Sequence, residues 1–186
     1  MKAMTILGSR NRQGRTAQSA DAMLKGLAAG GGGSDKVFLT DLKIERCRQC
    51  DDAGWGVCRT EGRCAIEDDF AGLVAQIKAA DAAIFANPVY FGDLSESMKA
   101  FLDRLRRICR HANGKAGIEG KPAVGICMAG GGGGGASNCC MLMEKVLATC
   151  GFAVMDMVPV RRQNLPMKLA VLQAVGQYLA GNPPVQ

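Results

Sequence analysis

Four of the chain's nine cysteines fall in one stretch, CRQCDDAGWGVCRTEGRCAIEDD, at Cys47, Cys50, Cys58 and Cys64, with no histidine among them. In a reducing compartment clustered thiols more often ligate metal or do redox chemistry than form disulfides. Four thiolates can hold a 4Fe-4S cluster or a tetrahedral zinc ion. The spacing C-x2-C-x7-C-x5-C offers one close pair, Cys47 with Cys50, where zinc sites usually present two. Iron-sulfur, zinc, redox thiols and a metal-free lid loop all stay open at this point.

Three further segments have the composition of ligand loops. GSRNRQGRT, residues 8–16, brings small residues, the hydroxyls of Ser9 and Thr16, and three arginines, Arg10, Arg12 and Arg15, to the start of a helix. Backbone N–H groups at a helix mouth and the helix dipole favour an anion such as phosphate. The segment is neither a P-loop nor a Gly-x-Gly-x-x-Gly fingerprint, and a plain helix cap is the alternative. NPVYFGD, residues 87–93, pairs a rigid Asn-Pro with Tyr90, Phe91 and Gly92; its alternative is a hairpin-like turn with two packing aromatics. AGGGGGGAS, residues 129–137, has no side chains over six residues, so a planar ligand could lie directly against peptide groups. Together the three describe a phosphorylated, flat, aromatic ligand.

These segments need a scaffold that brings them to one edge. The runs AMTIL (3–7), KVFLT (36–40), AAIFA (82–86), PAVGICM (122–128) and FAVMDMVPV (152–160) read as strands. They are apolar throughout rather than alternating, as in a sheet covered on both faces. Helical spacing separates them: Ala20, Met23, Leu24 and Leu27; Phe70, Leu73, Val74 and Ile77; Leu94 to Ile108; Cys139, Leu142, Val146 and Cys150; and, after Pro166, Met167, Val171, Ala174, Val175 and Tyr178. Five such units in succession predict an α/β, flavodoxin-like doubly wound five-stranded parallel sheet of order 2-1-3-4-5, with the Cys-rich loop 47–64 inserted after strand 2. In that order ligands bind beyond the carboxyl ends of strands one and three. The insertion follows strand two and should open on the same rim.

With 186 residues the chain suits one domain over 1–186. No apolar run approaches a signal core or a membrane span, so a cytoplasmic protein with no membrane partner is expected. The net charge of +6 suits anionic ligands, but only three residues are Trp or Tyr, which argues against a nucleic-acid surface. Arg104, Arg106, Arg107 and Arg110 read as a solvated helix face, Asp68 and Asp69 as the cap of the next helix, and Cys109, Cys127, Cys139, Cys140 and Cys150 as small buried hydrophobes. His111 stands alone after the arginines and is given no acid or base role.

GSRNRQGRT, ADAAIFANPVYFGDLSESMKAFLDR and the glycine run resemble the NADPH-dependent FMN reductase family of flavodoxin-like proteins, and CRQC...C...CAIEDD resembles its iron-sulfur flavoprotein branch. The likeness implies that Ser9, Arg10, Gly14 and Thr16 hold the FMN phosphate, with Arg15 where the family usually has Asn. It implies that Pro88, Val89, Tyr90, Phe91 and Gly92 line the isoalloxazine, with Gly130, Gly131 and Gly132 on its other edge. Cys47, Cys50, Cys58 and Cys64 would bind the cluster, although this branch typically has two residues, not seven, between its second and third cysteines. The resemblance implies an oxidoreductase that takes electrons from NAD(P)H and passes them to an unknown acceptor, as a homodimer or dimer of dimers, with no catalytic side chain required. The main rival is an FMN electron carrier reduced by a protein partner. A zinc-stabilised nucleic-acid module would leave the loops after strands three and four unexplained.

Overall fold

The five apolar runs become β1 (Lys2–Leu7), β2 (Gly33–Phe38), β3 (Ala82–Pro88), β4 (Pro122–Ala129) and β5 (Ala153–Arg161) in a computed structural model that describes residues 1–181. Every neighbouring pair is parallel and the order is β2-β1-β3-β4-β5, as the alternation of strand and helix predicts. The helices are α1 (Arg15–Ala29), α2 (Val57–Thr60), α3 (Phe70–Ala79), α4 (Glu96–Ile108), α5 (Ala112–Lys115), α6 (Ala136–Cys150) and α7 (Leu165–Gly181).

The three inner strands are almost wholly buried, whereas the edge strands β2 and β5 expose much of their length. Uniformly apolar composition thus marks the centre of the sheet, where helices cover both faces. β2 begins at Gly33 and ends at Phe38, earlier than the β-prone residues 36–40 indicate. Pairing along β1, from Lys2↔Gly33 to Leu7↔Phe38, recruits Gly33, the last of four successive glycines at 30–33, and Leu39–Asp41 turns away in a short 3-10 segment. Pairing here overrides local propensity.

One core lies between the sheet and α3, α4 and α6, around Phe70, Phe85, Phe101 and Leu147. The other lies under α1 and α7, around Met23, Leu27, Leu172 and Leu179. α1 and α7 approach until a Cβ at Gly26 would strike Gln173 O and one at Gly176 would strike Met23 O. That contact sets the phase of α7. Leu172, Gly176 and Leu179 face inward, while Met167, Val171 and Tyr178, expected in the core, lie exposed. The sequence is apolar at both phases, and only the close approach at Gly176 selects between them. α6 is rotated similarly: Cys139, Cys140, Met143, Leu147 and Cys150 are buried, with Leu142 and Val146 at the margin. No described helix is long and apolar enough to cross a membrane.

Candidate functional site

At the carboxyl edge of the sheet two adjoining clefts open between the three predicted loops. The first, of about 600 Å³, is lined by Ser9, Asn11, Gln13, Gly14, Arg15, Thr16, Gln18, Pro88, Val89, Tyr90, Met128, Gly130 and Gly131. The second, of about 720 Å³, shares Val89, Tyr90, Gly130 and Gly131 with it and adds Phe91, Gly92, Glu96 and the rest of the glycine run. Both volumes fall in the roughly 300–1,000 Å³ range of ligand pockets. Twelve of the thirteen predicted loop residues line one cleft or the other. Arg10 does not: it is exposed and outside both linings. Asn11, Gln13, Gln18, Met128 and Glu96 are lining residues that the sequence did not single out.

The first loop ends in an open helix mouth, an arrangement that suits an anion. Gly14 stands at the N-cap of α1, with no side chain capping the N-terminus and no carboxylate in the first turn, so the opening N–H groups keep the donor capacity that a cap would consume. Ser9 Oγ accepts from Asn11 N at 3.3 Å and Asn11 Oδ1 from Gln13 N at 3.0 Å, which curls the loop. Arg12 is tied away from the cleft, paired with Asp41 at 2.6 Å and lying 4.8 Å from the centre of the Phe38 ring. Arg15 is the cation left at the cleft.

A buried polar knot joins the loops. Asn87 Nδ2 donates to Pro88 O at 2.7 Å and to Cys139 Sγ at 3.4 Å, while its Oδ1 accepts from Ser95 N at 3.1 Å. Ser95 Oγ lies 3.0 Å from Asn87 Oδ1 and donates to Gly8 O at 2.9 Å. The ends of β1 and β3 and the starts of α4 and α6 are thereby fixed to one another. A Cβ at Gly8 would sit 2.6 Å from Ser95 Oγ and 2.9 Å from Asn87 Oδ1, so that glycine makes room for the knot.

Beyond it, Tyr90 and Asp93 exchange backbone hydrogen bonds of 3.0 and 2.9 Å across a two-residue turn. Phe91 (φ 52°) and Gly92 (φ 83°) both take the left-handed conformation there. The turn is hairpin-like, as its alternative reading held, but neither aromatic packs: Tyr90 is half-exposed and Phe91 fully so. Gly135 reaches this turn backbone to backbone, where a Cβ would fall 2.6 Å from Gly92 Cα, and Asn138 Nδ2 donates to Gly92 O at 2.9 Å. Gln163 Nε2 holds the glycine run from the other side through Gly132 O at 3.0 Å.

Gly130, Gly131 and Gly132 differ from these constrained glycines. None has a positive φ, and a Cβ on any of them would meet nothing within 4 Å. Neither backbone conformation nor packing demands glycine there. What its absence of side chain does is leave the cleft open against bare peptide, which fits a flat ring.

The cysteine loop lies elsewhere. Cys47, Cys50, Cys58 and Cys64 all line one small, partly open cavity with Trp55, Ile66, Arg104, Arg107 and Ile108. Arg104 lies nine residues after the Ser95 N-cap of α4, about 14 Å along the axis at about 1.5 Å per residue. The loop therefore folds back along α4 rather than opening on the cleft rim. Among the described residues no three Cys, His, Asp or Glu side chains converge at metal-binding distance; the four thiols share a cavity without closing on a point. Their soft donor set suits zinc or an iron-sulfur cluster.

Side chains hold this loop. Asp68 Oδ2 accepts from Glu45 N at 2.9 Å and Asp69 Oδ2 from Lys43 N at 2.7 Å, which closes the loop's base. Asp69 occupies the N-cap position of α3 but makes no side-chain cap; Asp68 Oδ1 accepts from Phe70 N at 3.1 Å instead. Arg104, expected on a solvated face, is 1% exposed and grips Asp68 bidentately at 2.6 and 2.9 Å, with a further bond to Glu45 O at 3.1 Å. Arg107 donates through Nη2 to Gly54 O and stacks 4.2 Å from the Trp55 ring centre. Gly54 makes the required left-handed turn, while Gly56 lets Cys50 approach, since a Cβ there would lie 3.0 Å from Cys50 Cβ.

Burial raises the Asp68 carboxyl, but its bonds to Arg104, Glu45 and Phe70 outweigh that and hold it below the usual carboxylate range. Burial likewise opposes the Arg104 charge, and Asp68 and then Cys64 more than restore it. The other five cysteines are all buried, as expected. Hydrogen bonds with Cys139 and Cys140 push the Cys127 thiol up, as does one with Cys109 for Cys150, and burial adds to both. His111 caps α5, accepting from Asn113 N at 3.2 Å.

The model of a family described as NADPH-dependent FMN reductase matches residues 1–166. An iron-sulfur flavoprotein of Archaeoglobus fulgidus is 37% identical over 105 residues, 56% of this chain and 46% of the relative. An iron-sulfur flavoprotein of Methanocaldococcus jannaschii is 34% identical over 127 residues, 67% of this chain and 62% of the relative. The match thus spans about half to three-fifths of these relatives' lengths. Among solved structures, an NAD(P)H:quinone oxidoreductase from Methanothermobacter marburgensis superposes with a TM-score of 0.70 at 20% identity, covering 96% of each chain. At that identity the likeness is one of fold.

Proposed function

This chain belongs to the NADPH-dependent FMN reductase family, and from that membership we propose that it is an FMN-dependent oxidoreductase reduced by NAD(P)H. The observation that carries the reading is the cleft itself: an uncapped helix mouth at Gly14 that shares a lining with Gly130 and Gly131, glycines that neither packing nor φ requires. FMN, when bound, supplies hydride acceptance and release of electrons one or two at a time. The chain's own task is to hold and expose it. The α1 mouth with Ser9, Arg15 and Thr16 binds the phosphate, and Pro88 to Gly92 with Gly130 to Gly132 present peptide groups to the ring. Arg10, which the resemblance assigns to the phosphate, would have to swing inward to reach it. The space over the glycine run leaves room for a nicotinamide.

Cys47, Cys50, Cys58 and Cys64 would hold a 4Fe-4S cluster, which divides a two-electron input into single-electron steps. The resemblance to iron-sulfur flavoproteins and the shared cavity of the four thiols support this. A homodimer or dimer of dimers fits the exposed Tyr90 and Phe91 at the cleft mouth. The electron acceptor is not assigned, and a cytoplasmic setting accords with the thiol-rich composition.

Anaerobic mixing of FMN-loaded protein with NADH or NADPH, followed at the flavin absorption band, tests the reading. Bleaching by either donor within minutes is the expected result. If neither bleaches it while a reduced protein carrier does, the chain is an electron-transfer module instead.

A further inference from the structure

We infer that Arg104 and Arg107 serve as hydrogen-bond donors to the sulfur-rich anion held by the four cysteines, and that they raise its reduction potential. The inference rests on the iron-sulfur reading above. Both arginines line the four-cysteine cavity. In both, Nε is buried and has no hydrogen-bond partner, and these are the only buried side-chain nitrogen or oxygen atoms left so among the described residues. An unmet donor on a buried charged group is costly, because water has been removed and nothing has replaced it. Two such donors at one cavity point to an acceptor that belongs there.

The remaining donors of each arginine are already directed. Arg104 spends Nη1 and Nη2 on Asp68 and Glu45 O, and its guanidinium lies 4.2 Å from the Phe70 ring centre. Arg107 gives Nη2 to Gly54 O and stacks on Trp55. These contacts hold both planes, that of Arg104 fully buried and that of Arg107 half-buried. Charge separates the two residues. Asp68 neutralises Arg104, whereas Arg107 pairs with no carboxylate among the described residues. The cavity thus offers four thiols, two fixed N–H donors and one unbalanced positive charge. That combination suits a thiolate-ligated cluster, whose sulfur atoms accept hydrogen bonds and whose negative charge grows by one on reduction. N–H donors and a nearby cation stabilise the reduced form more than the oxidised one, so the potential rises.

Arg104 cannot carry the test alone, because removing it strands Asp68. The informative variants are Arg107→Lys, which keeps the charge and loses Nε–H, and Arg107→Gln, which loses both. Each is purified anaerobically with the parent, reconstituted with iron and sulfide, assayed for iron, sulfide and FMN, and titrated redox-wise with EPR detection of the reduced cluster. The expected result is full iron in all three proteins and a midpoint lower in Arg107→Gln by about 59 mV or more, a tenfold change in a one-electron equilibrium. Arg107→Lys should fall between that variant and the parent. Full iron with the parent's midpoint in both variants overturns the inference and leaves the iron-sulfur reading standing. A parent that takes up no iron overturns both.

Discussion

The cleft between β1 and β3 presents peptide groups and missing side chains, whereas the cysteine loop is held by long side chains reaching from α4. At the cleft the decisive residues are glycines: Gly8 admits the Asn87–Ser95 knot, Gly135 touches Gly92, and Gly130 to Gly132 leave open space. Around the thiols they are Arg104 and Arg107, pinned by Asp68, Phe70, Gly54 and Trp55. A site built of backbone should respond more to added volume than to the charge of its side chains, since among the described residues Arg15 is the one cation placed at the cleft. A side-chain-built site should respond the other way, so substitutions of volume and of charge separate the two.

The largest effect is expected from charge at the cysteine loop. Asp68→Asn leaves the buried Arg104 uncompensated and should cost about 3–5 kcal/mol of stability, read as a lower urea midpoint. The same pair gives a pH signature. Because the folded Asp68 carboxyl lies below its ordinary value of 3.8, its contribution is complete above that value and is lost as pH falls toward the folded one. Parent stability should therefore drop below about pH 4 more steeply than that of Asp68→Asn. Parallel acid limbs for the two proteins would contradict the assignment.

Added volume at the cleft comes next. Gly8→Ala forces a Cβ against Ser95 and Asn87 and should cost about 1–3 kcal/mol while weakening FMN binding. Unchanged stability and FMN affinity would mean that the knot does not position the loops. Smaller again is the double change Ser9→Ala with Thr16→Ala, which should weaken FMN roughly tenfold, equivalent to about 1.4 kcal/mol, and riboflavin much less. Equal losses for both ligands in a titration would move the phosphate elsewhere. Smallest is Gln163→Ala, which removes one exposed bond to Gly132 O and should change stability by about 0.5–1.5 kcal/mol with FMN still bound.

Much of this architecture could be read from sequence because apolar strands and three-and-four spacing report burial on both sheet faces, and the strand order then placed three loops together. The phases of α6 and α7 could not, since Val171–Leu172 and Val175–Gly176 are apolar in either register and a contact with α1 decides. Arg104 carried a usable signal. It lies three residues after Phe101 and four before Ile108, on the apolar stripe of α4, but its charge reads as solvent-facing unless a buried partner such as Asp68 is known. The Asn87–Ser95 knot gave none, because hydrogen bonds across eight residues and four elements depend on the fold being formed. The place of the cysteine cavity along α4 is not legible, because spacing says which thiols gather and not where the loop lies along a helix.

The proposed function requires two separable sites on one fold, a cleft lined by glycine that holds FMN and a cavity lined by thiols that holds iron and sulfide. The decisive measurement is FMN, iron and sulfide per chain after anaerobic purification of the parent, Gly131→Leu, Cys58→Ala and Cys127→Ala. The parent and Cys127→Ala should carry both groups, Gly131→Leu should lose FMN and keep iron, and Cys58→Ala should lose most of the iron and keep FMN. Loss of both groups together in Gly131→Leu and in Cys58→Ala, or a reconstituted parent with stoichiometric FMN and no iron, would contradict it.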